Sequence, residues 1–175
     1  PDGEGIWVND TQTAGLVHRR LAIIDVSERG HQPMASADGR YVIVYNGEVF
    51  NFLELRRELV ANGSVFHSDS DTEVVVEAWR HWGQKMLLRF NGMWALAIYD
   101  RQSGEVFFAR DRFGIKPLLI ARAGDRLAFA SEMRALLALP WVDASIQPAI
   151  AERLLFDPFS IEGSAQTLHR GISRL

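Results

Sequence analysis

Arg20, Asn46, Gly47, Glu48 and Asp71 stand where apolar runs begin or end, and their types suit one small zwitterion. Arg20 precedes the run Leu21-Ala22-Ile23-Ile24. A guanidinium at the edge of apolar surface needs a planar anion, and a carboxylate satisfies it through two parallel hydrogen bonds. A surface arginine, or one paired with Asp25, accounts for the same residue. The Asn46 carboxamide and the Gly47 N–H are adjacent donors, and glycine admits close approach to the backbone. One such donor is worth about 3 kcal/mol where an oxygen gains charge in a tetrahedral intermediate. Yet Asn-Gly is also the strongest short hairpin-turn signal. Glu48 and Asp71 can each accept from an ammonium, although an acid at Asp71 also suits the first turn of a helix. Singly, each residue has a structural explanation. Together they describe an amino-acid pocket, with Arg20 on the carboxylate, Glu48 and Asp71 on the ammonium, and Asn46 with Gly47 on a carbonyl under attack.

A nucleophile is missing from that set. The chain has no cysteine, and its five histidines, at positions 18, 31, 67, 81 and 169, show no metal-ligand spacing. No serine or threonine stands beside a histidine in a convincing pattern, and there is no glycine-rich phosphate loop. The dense stretch Arg110-Asp111-Arg112-Phe113-Gly114-Ile115-Lys116-Pro117 reads as an ion-paired loop between strands. At 175 residues and 47% hydrophobic, the chain can bury one sizeable core. A net charge of −3 without a basic stripe argues against nucleic acid as a partner. No apolar run approaches the roughly 20 residues of a membrane span, and a cytoplasmic setting fits.

The elements that must position these groups follow from pattern. Gly5 to Asn9 and Ala14 to His18 alternate as short strands about a polar turn. Tyr41 to Tyr45 is apolar on both faces, as a strand between two layers would be, and it ends at the Asn46-Gly47 turn signal. Asn51 with Glu54, and Ser70 with Glu73, have capping-box spacing and start two helices, which Gly63 and Gly83 close. Met93 to Tyr99, Glu105 to Ala109, Pro117 to Ala121 and Leu127 to Ala130 form a meander. A short helix from Ser131 to Leu139 and another near Ala149 to Phe156 follow. Strands early and late with two helices between them predict an α+β sandwich.

The ordered segments resemble a known family. Pro1-Asp2-Gly3, His18 to Asp25, Gly30-His31-Gln32-Pro33-Met34, Tyr45-Asn46-Gly47-Glu48, Ser70-Asp71-Thr72-Glu73, Phe90 to Ala95, Ala109 to Leu118 and Phe129 to Glu132 are similar to the class II glutamine amidotransferase domain of the asparagine synthetase family. The resemblance implies a four-layer αββα sandwich of the N-terminal-nucleophile hydrolase type, incomplete at its N-terminus. It implies hydrolysis of L-glutamine to glutamate and ammonia. Arg20 matches the carboxylate-binding arginine, and Leu21, Ile23 and Ile24 the pocket wall. Asn46 and Gly47 match the oxyanion hole, Glu48 and Asp71 the holders of the α-amino end.

The family's nucleophile is an N-terminal cysteine, which the resemblance places upstream of Pro1, so this chain alone is expected to be inactive. Residues 1–143 are expected to form the amidotransferase domain and 144–175 the start of a linker into a C-terminal synthetase domain. That domain would use ATP and Mg²⁺, turning aspartate, glutamine and ATP into asparagine, glutamate, AMP and pyrophosphate. No metal or cofactor is expected on the chain itself, and a homodimer is compatible with the resemblance. Two other functions remain open: an amidotransferase with a different carboxylate acceptor, in a polysaccharide or antibiotic pathway, and a non-catalytic amino-acid-binding module.

Overall fold

The computed structural model describes residues 2–21 and 28–175. The chain divides into two compact units, Pro1–Ala109 and Arg110–Leu175.

In the first unit, strands β1 (Gly3–Val8) and β2 (Gly15–Arg20) form an antiparallel hairpin. Its register pairs Gly3 with Arg20, Gly5 with His18 and Trp7 with Leu16. Because side chains alternate along a strand, Leu16, His18 and Arg20 share one face of β2. Leu16 is buried, whereas Val17 on the other face is exposed. Trp7 continues the inner face and lies 5.1 Å, ring to ring, from Tyr99.

Strands β3 (Met34–Ala35) and β4 (Tyr41–Val49) are antiparallel neighbours. Helix α1 (Phe52–Ala61) and helix α2 (Asp71–Trp82) follow. Strand β5 (Gly92–Asp100) pairs antiparallel with the whole of β4, and β6 (Val106–Arg110) completes the order β3-β4-β5-β6. Ile43, Tyr45, Val49, Leu96 and Ile98 pack with Leu55 and Leu59 of α1 and Val74 and Ala78 of α2 in one core. Val42, Val44, Ala95 and Ala97, which alternate with them, are also buried. The two-faced apolar pattern of Tyr41 to Tyr45 therefore reflects a strand covered on both sides.

Two local signals resolve differently in the fold. Asn46-Gly47-Glu48 is not a turn: β4 continues to Val49, with Asn46 opposite Ala95, Gly47 opposite Trp94 and Glu48 opposite Met93. Nonlocal pairing with β5 overrides the local hairpin signal. Asn51 precedes α1 but does not cap it with its side chain. Its amide donates to the Arg89 carbonyl and its oxygen accepts from the Asn91 N–H, both at 2.9 Å, so it fastens the entry to β5 instead. Ser70 does cap α2, accepting from the Thr72 N–H. Glu73 turns back to the N–H groups of His67 and Ser68.

The second unit holds β7 (Leu119–Ala123), β8 (Arg126–Ala130), α3 (Met133–Leu137), α4 (Pro148–Phe156) and β9 (Ile172–Arg174), with sheet order β8-β7-β9. Sequence reading missed β9, three residues that pair with Leu119, Ile120 and Ala121. The Arg110–Pro117 loop is built on backbone groups. Asp111 accepts from the N–H of Phe113, Ile115 and Lys116, and Arg110 donates to the carbonyls of Lys116, Gly114 and Leu175. Among the described residues no helix is long and apolar enough to cross a membrane.

Candidate functional site

Asp71 is the first residue of α2, where Ser70 holds the helix start and the helix dipole favours an acid. Its side chain also reaches out of the helix. Oδ2 accepts from the Tyr45 phenol at 2.9 Å and from the Val49 N–H at 3.1 Å. Tyr45 and Val49 flank Asn46-Gly47-Glu48, so one carboxylate oxygen is fixed to both sides of the triplet. Asp71 is 5% exposed. Burial pushes its carboxyl above the usual range and the nearby Glu48 charge adds to this, while the Val49 N–H and the Tyr45 phenol oppose it. Burial likewise raises the Tyr45 phenol, with the Asp71 charge next in weight.

The backbone direction of the triplet follows from the same bonds. In an antiparallel pair, successive residues direct their N–H and C=O groups to alternate sides of the strand. The Tyr45 N–H goes to Gln32 Oε1 at 2.6 Å and the Val49 N–H to Asp71. Both point away from β5, so the Gly47 N–H between them points to that same edge. Glycine is required there by close packing: a Cβ on Gly47 would lie 2.3 Å from the Met93 carbonyl oxygen and 2.7 Å from Trp94 Cα. Asn46, Gly47 and Glu48 are all half-buried.

Arg20 closes β2, half-buried on the hairpin's inner face. Its guanidinium occupies the space that Gly30 leaves, since a Cβ there would lie 2.2 Å from Nη2. Two residues earlier, His18 Nε2 is 3.2 Å from the Tyr45 carbonyl oxygen, which ties β2 to β4 beside the triplet. Burial lowers the His18 imidazole from its ordinary range. The Tyr45 carbonyl counters this, and Arg20 and His31 lower it further. Leu21 is 70% exposed. Ile23 and Ile24, expected as pocket wall, and Asp25, the alternative partner of Arg20, lie outside the described residues, as does Pro1.

Thus Asp71 meets the strand that carries Asn46, Gly47 and Glu48, and His18 links that strand to the one that carries Arg20. Sequence reading missed Gln32 and Tyr45. Gln32 is 6% exposed and bonds both the N–H and the C=O of Tyr45. A polar residue between His31 and Pro33 gave no local sign of this. Among the described residues no group of three or more His, Asp or Glu converges as a metal site would. An edge with an N–H directed away from β5, a neighbouring carboxamide and two acids nearby can polarise a carbonyl and hold an ammonium.

Known proteins resemble this chain in sequence and in fold. A putative glutamine-hydrolysing asparagine synthetase of Mycobacterium bovis is 41% identical over 185 residues, covering all of this chain and 28% of that protein. Glutamine-hydrolysing asparagine synthetase 1 of Bacillus subtilis is 42% identical over 137 residues, covering 78% of this chain and 21% of that protein. This chain thus spans less than a third of the length of either relative. Among solved structures, the glutamine phosphoribosylpyrophosphate amidotransferase from B. subtilis, complexed with ADP and GMP, matches with a TM-score of 0.60 and 28% identity, over 70% of this chain and 28% of that one. The α+β fold is accordingly of the N-terminal-nucleophile hydrolase, class II amidotransferase type. The family model for the glutamine amidotransferase domain matches residues 1–175, and this chain belongs to that family.

Proposed function

We propose that this chain is the glutamine-hydrolysing domain of an asparagine synthetase-like protein. The observation that carries the reading is the Asp71 carboxylate, bonded on either side of Asn46-Gly47-Glu48 by Tyr45 and Val49. It sets an acceptor for an ammonium beside a strand edge that offers a hydrogen-bond donor. Arg20 takes the glutamine α-carboxylate, Glu48 and Asp71 its α-ammonium, and the Asn46 amide with the Gly47 N–H its side-chain oxygen.

In this mechanism a thiolate attacks the glutamine carboxamide carbon. The C–O π pair moves to oxygen, where the two donors stabilise it. Collapse breaks the C–N bond, and the nitrogen leaves as ammonia with the proton that the thiol gave up on forming the thiolate. Water then cleaves the thioester to glutamate and restores the thiol. The chain contains no cysteine, so the thiol is not among its 175 residues, and the chain alone is proposed to be inactive. Residues 144–175 are proposed to lead into a synthetase domain that would take up the ammonia and use aspartate and ATP, with Mg²⁺ supplying charge neutralisation at the phosphates. A cytoplasmic setting and a homodimer are part of the same proposal.

The test uses the full-length protein. It is expected to release glutamate and ammonia from glutamine, and Asn46→Ala is expected to lower kcat about 10²–10³-fold. Added aspartate and ATP should yield asparagine. Comparable ammonia release from residues 1–175 alone would overturn the assignment of the nucleophile, and glutamine turnover without asparagine would point to another acceptor.

A further inference from the structure

Strand β3 accompanies β4 only briefly, with Met34 opposite Ile43 and Ala35 opposite Val42. Continued in that register, Pro33 would face Val44 and Gln32 would face Tyr45. Val44 directs its backbone groups toward β5, so Tyr45 is the next residue on this edge that needs a partner. There the ladder is resumed by a side chain. Gln32 Oε1 accepts from the Tyr45 N–H at 2.6 Å, and Nε2 donates to the Tyr45 carbonyl at 3.1 Å. The carboxamide thus does for one residue what a neighbouring strand would do, and beyond it the edge of β4 is released.

The same Nε2 lies 3.2 Å from Thr72 Oγ1. Thr72 follows Asp71 in the first turn of α2, so one buried amide touches both the strand before the triplet and the helix turn that carries Asp71. Next along the edge is the Gly47 N–H, and after it the Val49 N–H held by Asp71. Gln32 and Asp71 bracket the Gly47 donor on the only edge of β4 that β5 does not cover.

We propose that Gln32 is a positioning residue for amide hydrolysis: it sets the Gly47 donor relative to Asp71 without touching the substrate. This rests on the function proposed above. An oxyanion donor acts on the transition state more than on bound substrate, so misplacing it lowers kcat and leaves KM nearly unchanged. Displacement of a reacting geometry by about 1 Å can cost on the order of 10²-fold.

The experiment compares full-length wild type, Gln32→Met and Gln32→Glu, with glutamine as substrate. Gln32→Met fills the space without hydrogen bonds; kcat is expected to fall about 10–100-fold, with KM within about threefold. In Gln32→Glu the carboxylate can still accept from Tyr45 N–H but faces the Tyr45 carbonyl with a second acceptor. Protonation supplies the missing donor, so the ratio of its kcat to that of wild type is expected to rise as pH falls. A purely space-filling role moves neither the kcat against KM split nor this pH profile. If wild type does not hydrolyse glutamine, the underlying function fails and the inference with it. If wild type is active and Gln32→Met keeps kcat within twofold, the inference alone is overturned. If Gln32→Met does not fold, a pH-independent ratio for Gln32→Glu overturns it. If neither variant folds, Gln32 is structural and the inference is overturned.

Discussion

Tyr45 and Asp71 meet at 2.9 Å, the phenol donating to the same carboxylate oxygen that accepts the Val49 N–H. Both bonds fall on Oδ2, so an asparagine that places its carbonyl oxygen there can keep them. Burial and the Glu48 charge raise the Asp71 carboxyl. An acid raised in the folded state stabilises that state most below its unfolded value, about 3.9, and loses the contribution as pH rises through the raised value. Asp71→Asn in the full-length protein is therefore expected to melt at the same temperature as wild type or higher at pH 7. The difference should vanish toward pH 3.5. Glutamine KM is expected to rise at least about tenfold, the loss of one charged hydrogen bond being worth about 1.5–3 kcal/mol. Calorimetry across pH, paired with steady-state kinetics, measures both; unchanged KM would remove Asp71 from the ammonium site.

Gly47→Ala tests the close approach of β4 to β5. The added methyl meets the Met93 carbonyl at 2.3 Å and Trp94 Cα at 2.7 Å, and backbone atoms cannot swing aside. Overpacking of this kind costs about 1–3 kcal/mol. The variant is expected to shift the urea midpoint downward by a corresponding amount and to reduce glutamine turnover more than stability alone explains, since the strand must bow where its donor sits. A wild-type urea midpoint would mean that the strands separate more easily than their packing indicates.

His18 gives a prediction of opposite sign to Asp71. Its imidazole is lowered by burial, and further by Arg20 and His31, with the Tyr45 carbonyl opposing. A base lowered in the folded state contributes stability above its unfolded value, about 6.5, which is lost as pH falls through the interval down to the folded value. Wild type is expected to lose melting temperature as pH drops below about 6.5. His18→Gln, whose amide can still donate to the Tyr45 carbonyl, should lose less over the same range. Parallel melting curves for the two proteins from pH 7.5 to pH 5, about the span in which an unperturbed histidine titrates, would rule out His18 as the source.

How far the sequence disclosed this arrangement depends on the range over which each feature is determined. Ser70 caps α2 and Val74 and Ala78 bury its inner stripe, as local spacing indicates. The Tyr41 strand is equally legible, because two covered faces leave an unbroken apolar run. The Asn46-Gly47 turn was misread because β5 supplies the deciding partners, nearly fifty residues later at Ala95 and Trp94. Strand β9 was invisible for the same reason, since three residues acquire extended pairing only beside β7. The acids, Arg20 and the Asn-Gly pair stand out by type. Gln32 does not, because two of its bonds are to the backbone of Tyr45, and any residue can provide a backbone.

The alternation that aims the Gly47 N–H has a consequence for how this strand can vary in length. Tyr45, Gly47 and Val49 face the open edge because they differ by steps of two. One residue inserted between Asn46 and Gly47 would turn the glycine donor into the β5 ladder and withdraw the Val49 N–H from Asp71, with composition and charge almost untouched. Two inserted residues would restore the direction. The direction of the donor therefore depends on the parity of an insertion, and its place along the edge on the insertion's size, about 3.3 Å for each residue added.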